Sequence, residues 1–123
     1  LIPSGIVWMQ GESEALHTEQ VALRYYTNLK RLMDLIRAAL HMEDLPVVIG
    51  KISDSGMNKE GKIWKYGELI QYAQEKYARV DKNAAIVRET KDYGYSDDAH
   101  YNSAGYISLG ESFASLLYEL INK

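Results

Sequence analysis

Apolar and polar positions along the chain follow two alternating patterns. Short, almost unbroken apolar runs at residues 5–10, 46–52 and 84–87 predict buried strands. Apolar residues recur every three or four positions over 19–40, 69–80 and 106–120, which predicts amphipathic helices. The order β-α-β-α-β-α, with strands apolar on both faces, predicts an α/β fold in which helices cover both faces of a parallel sheet.

Polar and small residues mark the boundaries between these segments. Thr18 precedes the first helical run and is predicted to cap that helix. Gly56, Asn58 and Gly61 lie between the second strand and the second helix, so this segment is predicted to be a loop.

Three strands make a small sheet of this type, and an exposed flat sheet edge is a liability that proteins avoid. The chain of 123 residues begins with Leu1 rather than Met, and its first residues already approach a strand. We therefore expect residues 1–123 to be the C-terminal part of a single domain whose other strands lie outside this sequence.

Composition and charge narrow the classes of function. A formal net charge of −3, with scattered Lys and Arg residues, gives no basic surface for nucleic acid. No apolar run approaches the roughly 18 residues of a membrane span. The chain has no cysteine, which excludes disulfides and thiolate metal sites but leaves the compartment unknown. The three histidines are far apart, so neither a metal nor another cofactor is expected.

Polar clusters follow each predicted strand, at residues 10–14, 53–55 and 97–100. In open α/β sheets, ligands bind at the carboxyl ends of the strands. We therefore expect the first and last clusters to lie near one another in space.

Asp97 and His100 are the first candidate for chemistry. A spacing of three residues is about one helical turn, which would place both side chains on one face. The carboxylate could then orient the imidazole, whose other nitrogen would take a proton from a nucleophile. On spacing alone, a capping residue of the last helix beside an ordinary surface histidine is the commoner arrangement.

Gln10 and Gly11 form the second candidate. A side-chain amide at a strand end, beside a glycine that permits close backbone approach, suits donation to a developing oxyanion. The alternative is a polar turn in which Glu12 and Glu14 are solvated or cap the following helix.

The two clusters occur together with two further motifs, and this combination resembles the SGNH-hydrolase superfamily. The similarity is to its sialate O-acetylesterase-like group, carbohydrate esterase family 6, which includes acetylxylan esterases. The resemblance covers nearly the whole chain and implies a three-layer α/β/α, flavodoxin-like fold. The segments that carry it are WMQGESE (8–14), LPVVIGKISD (45–54), IQYAQ (70–74) and DDAHYNSAGYISLG (97–110).

The resemblance implies roles for individual residues. His100 matches the general base, Asp97 its orienting partner, and Gln10 a side-chain donor of the oxyanion hole. Gly11 and Glu12 match the same turn, as its support or as substrate contacts. The implied activity is removal of acetyl groups from sialic acid or xylan-type sugars, with an acetylated carbohydrate as substrate.

The nucleophile of this family is a serine in a G-Q-S-N type segment near the N-terminus of the domain. This sequence contains no such segment. Ser13 lacks the Gly-x-Ser-x-Gly elbow, and the resemblance assigns its turn to the oxyanion hole. Glu14 stands where the family usually has Asp, a conservative departure. We expect the serine on an N-terminal segment of the same domain, and the chain alone to be inactive.

Four other residues have simpler expectations. Trp8 is apolar and on a strand, which favours core packing. Trp64 either lines a sugar site or packs in the core or at its rim. His17 and His41 match no family position and are expected at the surface.

Two other functions remain open from the sequence. A non-catalytic carbohydrate-binding or interaction module could reuse the same fold, and a G-Q-S-N segment upstream would argue against it. A glycosidase could use Glu12 with Asp97 as paired carboxylates, which an assay on a chromogenic glycoside would test.

Overall fold

The computed structural model describes all residues from Leu1 to Lys123. Its centre is a parallel sheet of three strands, in the order β1-β2-β3. The strands are β1 (Ile6–Trp8), β2 (Val47–Gly50) and β3 (Ala84–Val87). This arrangement confirms the predicted α/β class and the parallel sheet, and it is consistent with part of a flavodoxin-like α/β/α fold.

Five α-helices accompany the sheet, and together with a short 3₁₀ helix at Glu89–Asp92 they complete the regular structure. The helices are α1 (Glu12–Leu16), α2 (Glu19–Leu23), α3 (Tyr25–Ala39), α4 (Gly67–Val80) and α5 (Ser103–Ile121).

The helices cover both faces of the sheet because successive strand side chains point to opposite faces. Val47 and Ile49 of β2 pack on the side of α3 and α4, in the larger of two apolar clusters. Val48 of β2 and Val87 of β3 pack on the other side, against Leu109 of α5. Every residue of β2 is buried, which explains why its apolar run is unbroken.

The predicted single helix over 19–40 is divided in the structure. α2 ends at Leu23, and Arg24 separates it from α3. The backbone N–H of Arg24 donates to the carbonyls of Ala22 and Val21, which is a tighter turn than an α-helix makes. The apolar periodicity continues across this break, so the pattern did not reveal it. Thr18 is the predicted cap, since its side chain accepts the N–H of Val21.

β1 lies at the edge of the sheet and pairs only with β2. α5 packs over β2 and β3, and Val7 on the same face of β1 is 50% exposed. Several apolar side chains of α5 are also exposed, namely Tyr106, Ile107, Tyr118 and Ile121. None of the helices combines the length and apolar character needed to cross a bilayer.

Candidate active site

The segments that follow the three strands meet at one end of the sheet. The side chain of Gln74 links the turn after β1 to the segment after β2, because it bonds to both Gln10 and Ile52. The hydroxyl of Ser55, which follows β2, donates to the carbonyl of Asp98, which follows β3. The carboxyl ends of the strands thus form one connected surface, as the parallel topology requires.

Asp97 and His100 are in direct contact. The His100 Nδ1 atom lies 2.9 and 3.0 Å from the two carboxylate oxygens of Asp97. The segment is a turn rather than the helical turn that the spacing suggested. Asp97 Oδ1 accepts the backbone N–H groups of Ala99 at 2.8 Å and His100 at 2.7 Å, so the carboxylate itself closes the turn.

The same contacts favour the ionised carboxylate. The N–H of Ala99, the His100 ring and the His100 N–H lower the pKa of Asp97. With Asp97 ionised, a neutral His100 carries its proton on Nδ1 and its lone pair on Nε2. Nε2 makes no hydrogen bond to the protein, and the His100 side chain is 67% exposed. The free nitrogen is therefore accessible to a proton donor.

Two tyrosine side chains flank the turn that carries Asp97 and His100 and pack against each other. Tyr95 and Tyr101 form an isolated antiparallel bridge at its base, and their rings pack with centroids 5.1 Å apart. The Ser53 hydroxyl lies 2.5 Å from the Tyr95 hydroxyl and 2.7 Å from that of Tyr101. Tyr95 and Tyr101 thus connect the turn that carries Asp97 and His100 to Ser53, in the segment after β2.

Burial raises the pKa of Tyr101 to about 12, and the nearby Tyr95 and Glu12 add to the increase. Tyr101 is therefore neutral at physiological pH and acts through its hydroxyl hydrogen bonds.

The amide of Gln10 has a defined orientation. Its Nε2 donates to Glu14 Oε2 at 2.6 Å, and its Oε1 lies 3.3 Å from the Tyr25 hydroxyl. The Tyr25 hydroxyl also donates to the Gln10 carbonyl at 2.7 Å. An amide nitrogen has two N–H groups. Glu14 accepts one of them, and the other has no partner within the chain.

Gly11 is required by internal crowding. Its φ of 148° is a conformation that side chains with a Cβ rarely adopt. A Cβ at this position would lie 2.7 Å from Ile70 Cγ2 and 3.2 Å from Gln74 Nε2. The close approach that the sequence predicted therefore exists, but it is to α4.

The family model for the carbohydrate esterase, sialic acid-specific acetylesterase, matches residues 3–119. The chain belongs to this family. The match confirms the resemblance that the motifs indicated, and it places the chain in the esterase class at a coarse level.

Two solved structures resemble this esterase-family chain. A protein from Arabidopsis thaliana superposes with a TM-score of 0.78 at 26% identity, covering 94% of this chain and 44% of that one. A carbohydrate acetylesterase from Xanthomonas citri superposes with a TM-score of 0.66 at 18% identity, covering 85% of this chain and 23% of that one. The chain therefore spans less than half the length of either protein. A search of curated proteins found no match.

The groove that Gln10 lines is formed without His100. Gln10 lines a groove of about 340 Å³ beside β1, and His100 is not among its lining residues. The groove is lined by Trp8, Gln10, Glu14, Tyr25, Asn28, Leu29 and Leu32. The groove therefore lies between the end of β1, the turn that follows it and α3.

The remaining predicted residues divide between core and surface. Trp8 packs against the larger apolar cluster, as expected. Trp64 is only 6% exposed and donates its Nε1–H to the Ser53 carbonyl at 2.8 Å, so core packing accounts for it. His17, His41 and Ser13 are exposed. No three His, Asp or Glu side chains are grouped to hold a metal.

Asp54 was recognised only as part of a polar cluster, and the structure gives it a definite task. Its carboxylate accepts the N–H groups of Gly56, Ile63 and Trp64, which closes the loop after β2. Partial burial opposes its ionisation, but these N–H groups outweigh burial and lower the pKa of Asp54. The loop contacts lie nine and ten residues ahead, and no local sequence signal marks them.

Proposed function

We propose that this chain is part of a carbohydrate O-acetylesterase that removes acetyl groups from sialic acid or xylan-type sugars. His100 is the general base and Asp97 its orienting partner. The observation that carries the proposal is the contact of Asp97 with Nδ1 of His100, which leaves Nε2 free at the carboxyl end of the sheet. Membership of the esterase family supports the reaction class.

The reaction follows the chemistry of a serine triad. His100 Nε2 removes the proton of a serine hydroxyl as the serine oxygen attacks the acetyl carbonyl. Asp97 stabilises the resulting imidazolium, which then gives its proton to the departing sugar oxygen. A water molecule, deprotonated by the same nitrogen, attacks the acetyl-serine, and acetate leaves with regeneration of the serine hydroxyl.

Gln10 is the proposed side-chain donor to the oxyanion of both tetrahedral intermediates. Its first amide N–H is held by Glu14, and the second is available to a ligand. A donor that is already oriented stabilises developing charge without reorganisation during the reaction. Gly11 and Glu12 complete the turn, with Glu12 as support or as a substrate contact.

The serine belongs, in this proposal, to an N-terminal segment of the same domain. The free edge of β1 and the groove beside it offer a place where such a segment would pair and pack. Gln10 faces this groove, so a serine delivered there would lie beside the oxyanion donor. His100 would then have to reach the serine from the turn after β3.

Hydrolysis of a small acetyl ester tests the proposal. The complete domain, with its N-terminal segment, should hydrolyse p-nitrophenyl acetate and release acetate from an O-acetylated sugar. Residues 1–123 alone should show no enzymatic hydrolysis. Activity of residues 1–123 alone that is lost on Ser13→Ala would show that the chain is a self-contained enzyme and that the proposal is wrong.

A carbohydrate-binding module is the second candidate, because the 123 residues hold no motif serine. It predicts that the complete domain binds an acetylated sugar and leaves it intact. Binding measured by calorimetry, with acetate release followed in the same sample, separates the two candidates.

A further inference from the structure

Gln74 is a buried polar side chain that ends the IQYAQ segment, to which the sequence assigned no role. It lies on the inner face of α4 between Ile70 and Tyr77, and its exposure is 0%. An amide in such a position is unfavourable unless its donors and acceptor find partners. Its presence at a core position of the helix therefore points to the bonds that it makes.

Both ends of the Gln74 amide are used. Its Oε1 accepts the backbone N–H of Ile52 at 2.9 Å, and its Nε2 donates to the Gln10 carbonyl at 2.9 Å. The last residue pair between β1 and β2 is Trp8 with Ile49. Gln74 thus connects the segments that follow β1 and β2, beyond the last pair of the strand ladder, in place of a direct backbone hydrogen bond.

The same side chain limits the movement of the next residue. The position of a Gly11 Cβ would be 3.2 Å from Gln74 Nε2, so the backbone of the turn rests against the amide. The Gln10 carbonyl also accepts the Tyr25 hydroxyl, which lies 3.4 Å from Gln74 Nε2. The turn after β1 is therefore held from α3 and from α4.

We infer that Gln74 is a positioning residue of the acetylesterase site, which fixes the Gln10–Gly11 turn against the end of β2. This inference rests on the proposed function, because the turn matters to catalysis only if Gln10 is the oxyanion donor. A displacement of about 1 Å at such a donor is enough to reduce a rate by on the order of 100-fold.

Gln71 provides a matched control. It lies one turn earlier on α4, and its Nε2 donates to the Ile52 carbonyl at 2.9 Å. It therefore contacts the end of β2 without contacting Gln10. Gln74→Met and Gln71→Met each replace an amide by an apolar side chain of similar shape, but only the first releases the turn.

The first test measures backbone order of residues 1–123 by ¹⁵N relaxation. Gln74→Met should lower the order parameter of the Gly11 amide from about 0.85 to below about 0.6, with Gln71→Met leaving it unchanged. An ordered Gly11 in Gln74→Met, or equal loss of order in both variants, would overturn the inference.

Gln74→Glu keeps the shape and adds a readout that packing alone would not give. A protonated carboxyl can accept from Ile52 and donate to Gln10, whereas a carboxylate cannot donate. Order at Gly11 should therefore be retained at low pH and lost as the carboxyl ionises. Order that does not change with pH would contradict the inference, and this experiment decides the matter if Gln74→Met does not fold.

The kinetic test uses the complete domain. Gln74→Met should lower kcat for acetyl ester hydrolysis by on the order of 10–100-fold with little change in KM, and Gln71→Met should not. An unchanged kcat in a domain whose Gly11 has lost order would refute the positioning role. A wild-type domain without esterase activity would instead refute the proposed function, while the relaxation result would still decide whether Gln74 holds the turn.

Discussion

The turn after β1 and the turn after β3 supply the two halves of the candidate site, and they are held in opposite ways. The first is held from the interior, by the fully buried Gln74 and the nearly buried Tyr25. The second is closed by its own carboxylate, and the side chains of Asp97 and His100 are 54% and 67% exposed.

The difference fits the tasks that we propose for the two turns. An oxyanion donor works best when its position is fixed before charge develops, which favours a turn tied into the core. A general base exchanges protons with the nucleophile, the leaving group and water, so its nitrogen must be reachable. The turn after β1, held by buried side chains, thus provides a rigid donor, and the exposed turn after β3 provides an accessible base.

His100→Ala should have the largest effect, because it removes the proposed general base. In the complete domain it should lower kcat for acetyl ester hydrolysis by on the order of 10⁴–10⁶. His17→Ala, which changes an exposed histidine with no assigned role, is the control. Activity that survives His100→Ala would remove the turn after β3 from the mechanism.

Asp97→Asn should have the next largest effect, on the order of 10³–10⁴ in kcat, or somewhat less than that of His100→Ala. The amide oxygen can still accept the N–H groups of Ala99 and His100, so the turn should keep its shape. The loss would come from the missing carboxylate beside the imidazolium. Retained hydrogen-exchange protection of the Ala99 amide, together with reduced kcat, would confirm this separation of shape from charge.

Gln10→Ala should lower kcat by on the order of 10²–10³ and leave KM nearly intact, since an oxyanion donor acts mainly in the transition state. Ser13→Ala, three residues away, should be tolerated because Ser13 is not the nucleophile. The reverse result, with Ser13→Ala inactive and Gln10→Ala active, would show that the turn after β1 has another role.

Gly11→Ala should test the rigidity of the first turn through stability. The positive φ and the contact with Ile70 should lower the free energy of unfolding by about 2–4 kcal/mol, measured by urea denaturation. Asp98→Ala in the exposed turn should change it by less than about 0.5 kcal/mol. Equal effects would contradict the contrast between a buried and an exposed turn.

The smallest expected effect is the loss of stability of the turn after β3 when Asp97 is protonated by acid. Because the folded pKa of Asp97 is lowered, its contribution to stability is complete above the unfolded value of about 3.9. That contribution is lost as pH falls through the lower folded value. The chemical shift of the Ala99 amide should therefore change with pH, with its midpoint below about pH 3.9. This pH dependence should be absent in Asp97→Asn.

Local sequence patterns predicted the strands and helices well where residues close together in the sequence determine the structure. The strand at 84–87 has the predicted bounds, and the other two are shorter because the sheet pairs only part of each apolar run. The break at Arg24 and the short helix α1 were missed. A periodic apolar stripe continues through the former, and the latter has only five residues.

In the candidate site, too, the local contacts could be predicted from the sequence and the long-range contacts could not. The contact of Asp97 with His100 is local and followed from their spacing, although the turn that produces it was not the expected one. The bond from Gln74 to Gln10 spans 64 residues, and that from Ser53 to Tyr101 spans 48. Such contacts depend on how helices and strand ends pack in three dimensions, which one sequence does not reveal.

Covalent labelling of the nucleophile tests the central claim most directly. The complete domain should react with a fluorophosphonate, and peptide mapping should place the label on a serine outside residues 1–123. His100→Ala should prevent the labelling, because the serine would no longer be activated. A label on Ser13, or on any other serine within residues 1–123, would contradict the claim that this chain supplies the base and the oxyanion donor to a nucleophile carried elsewhere.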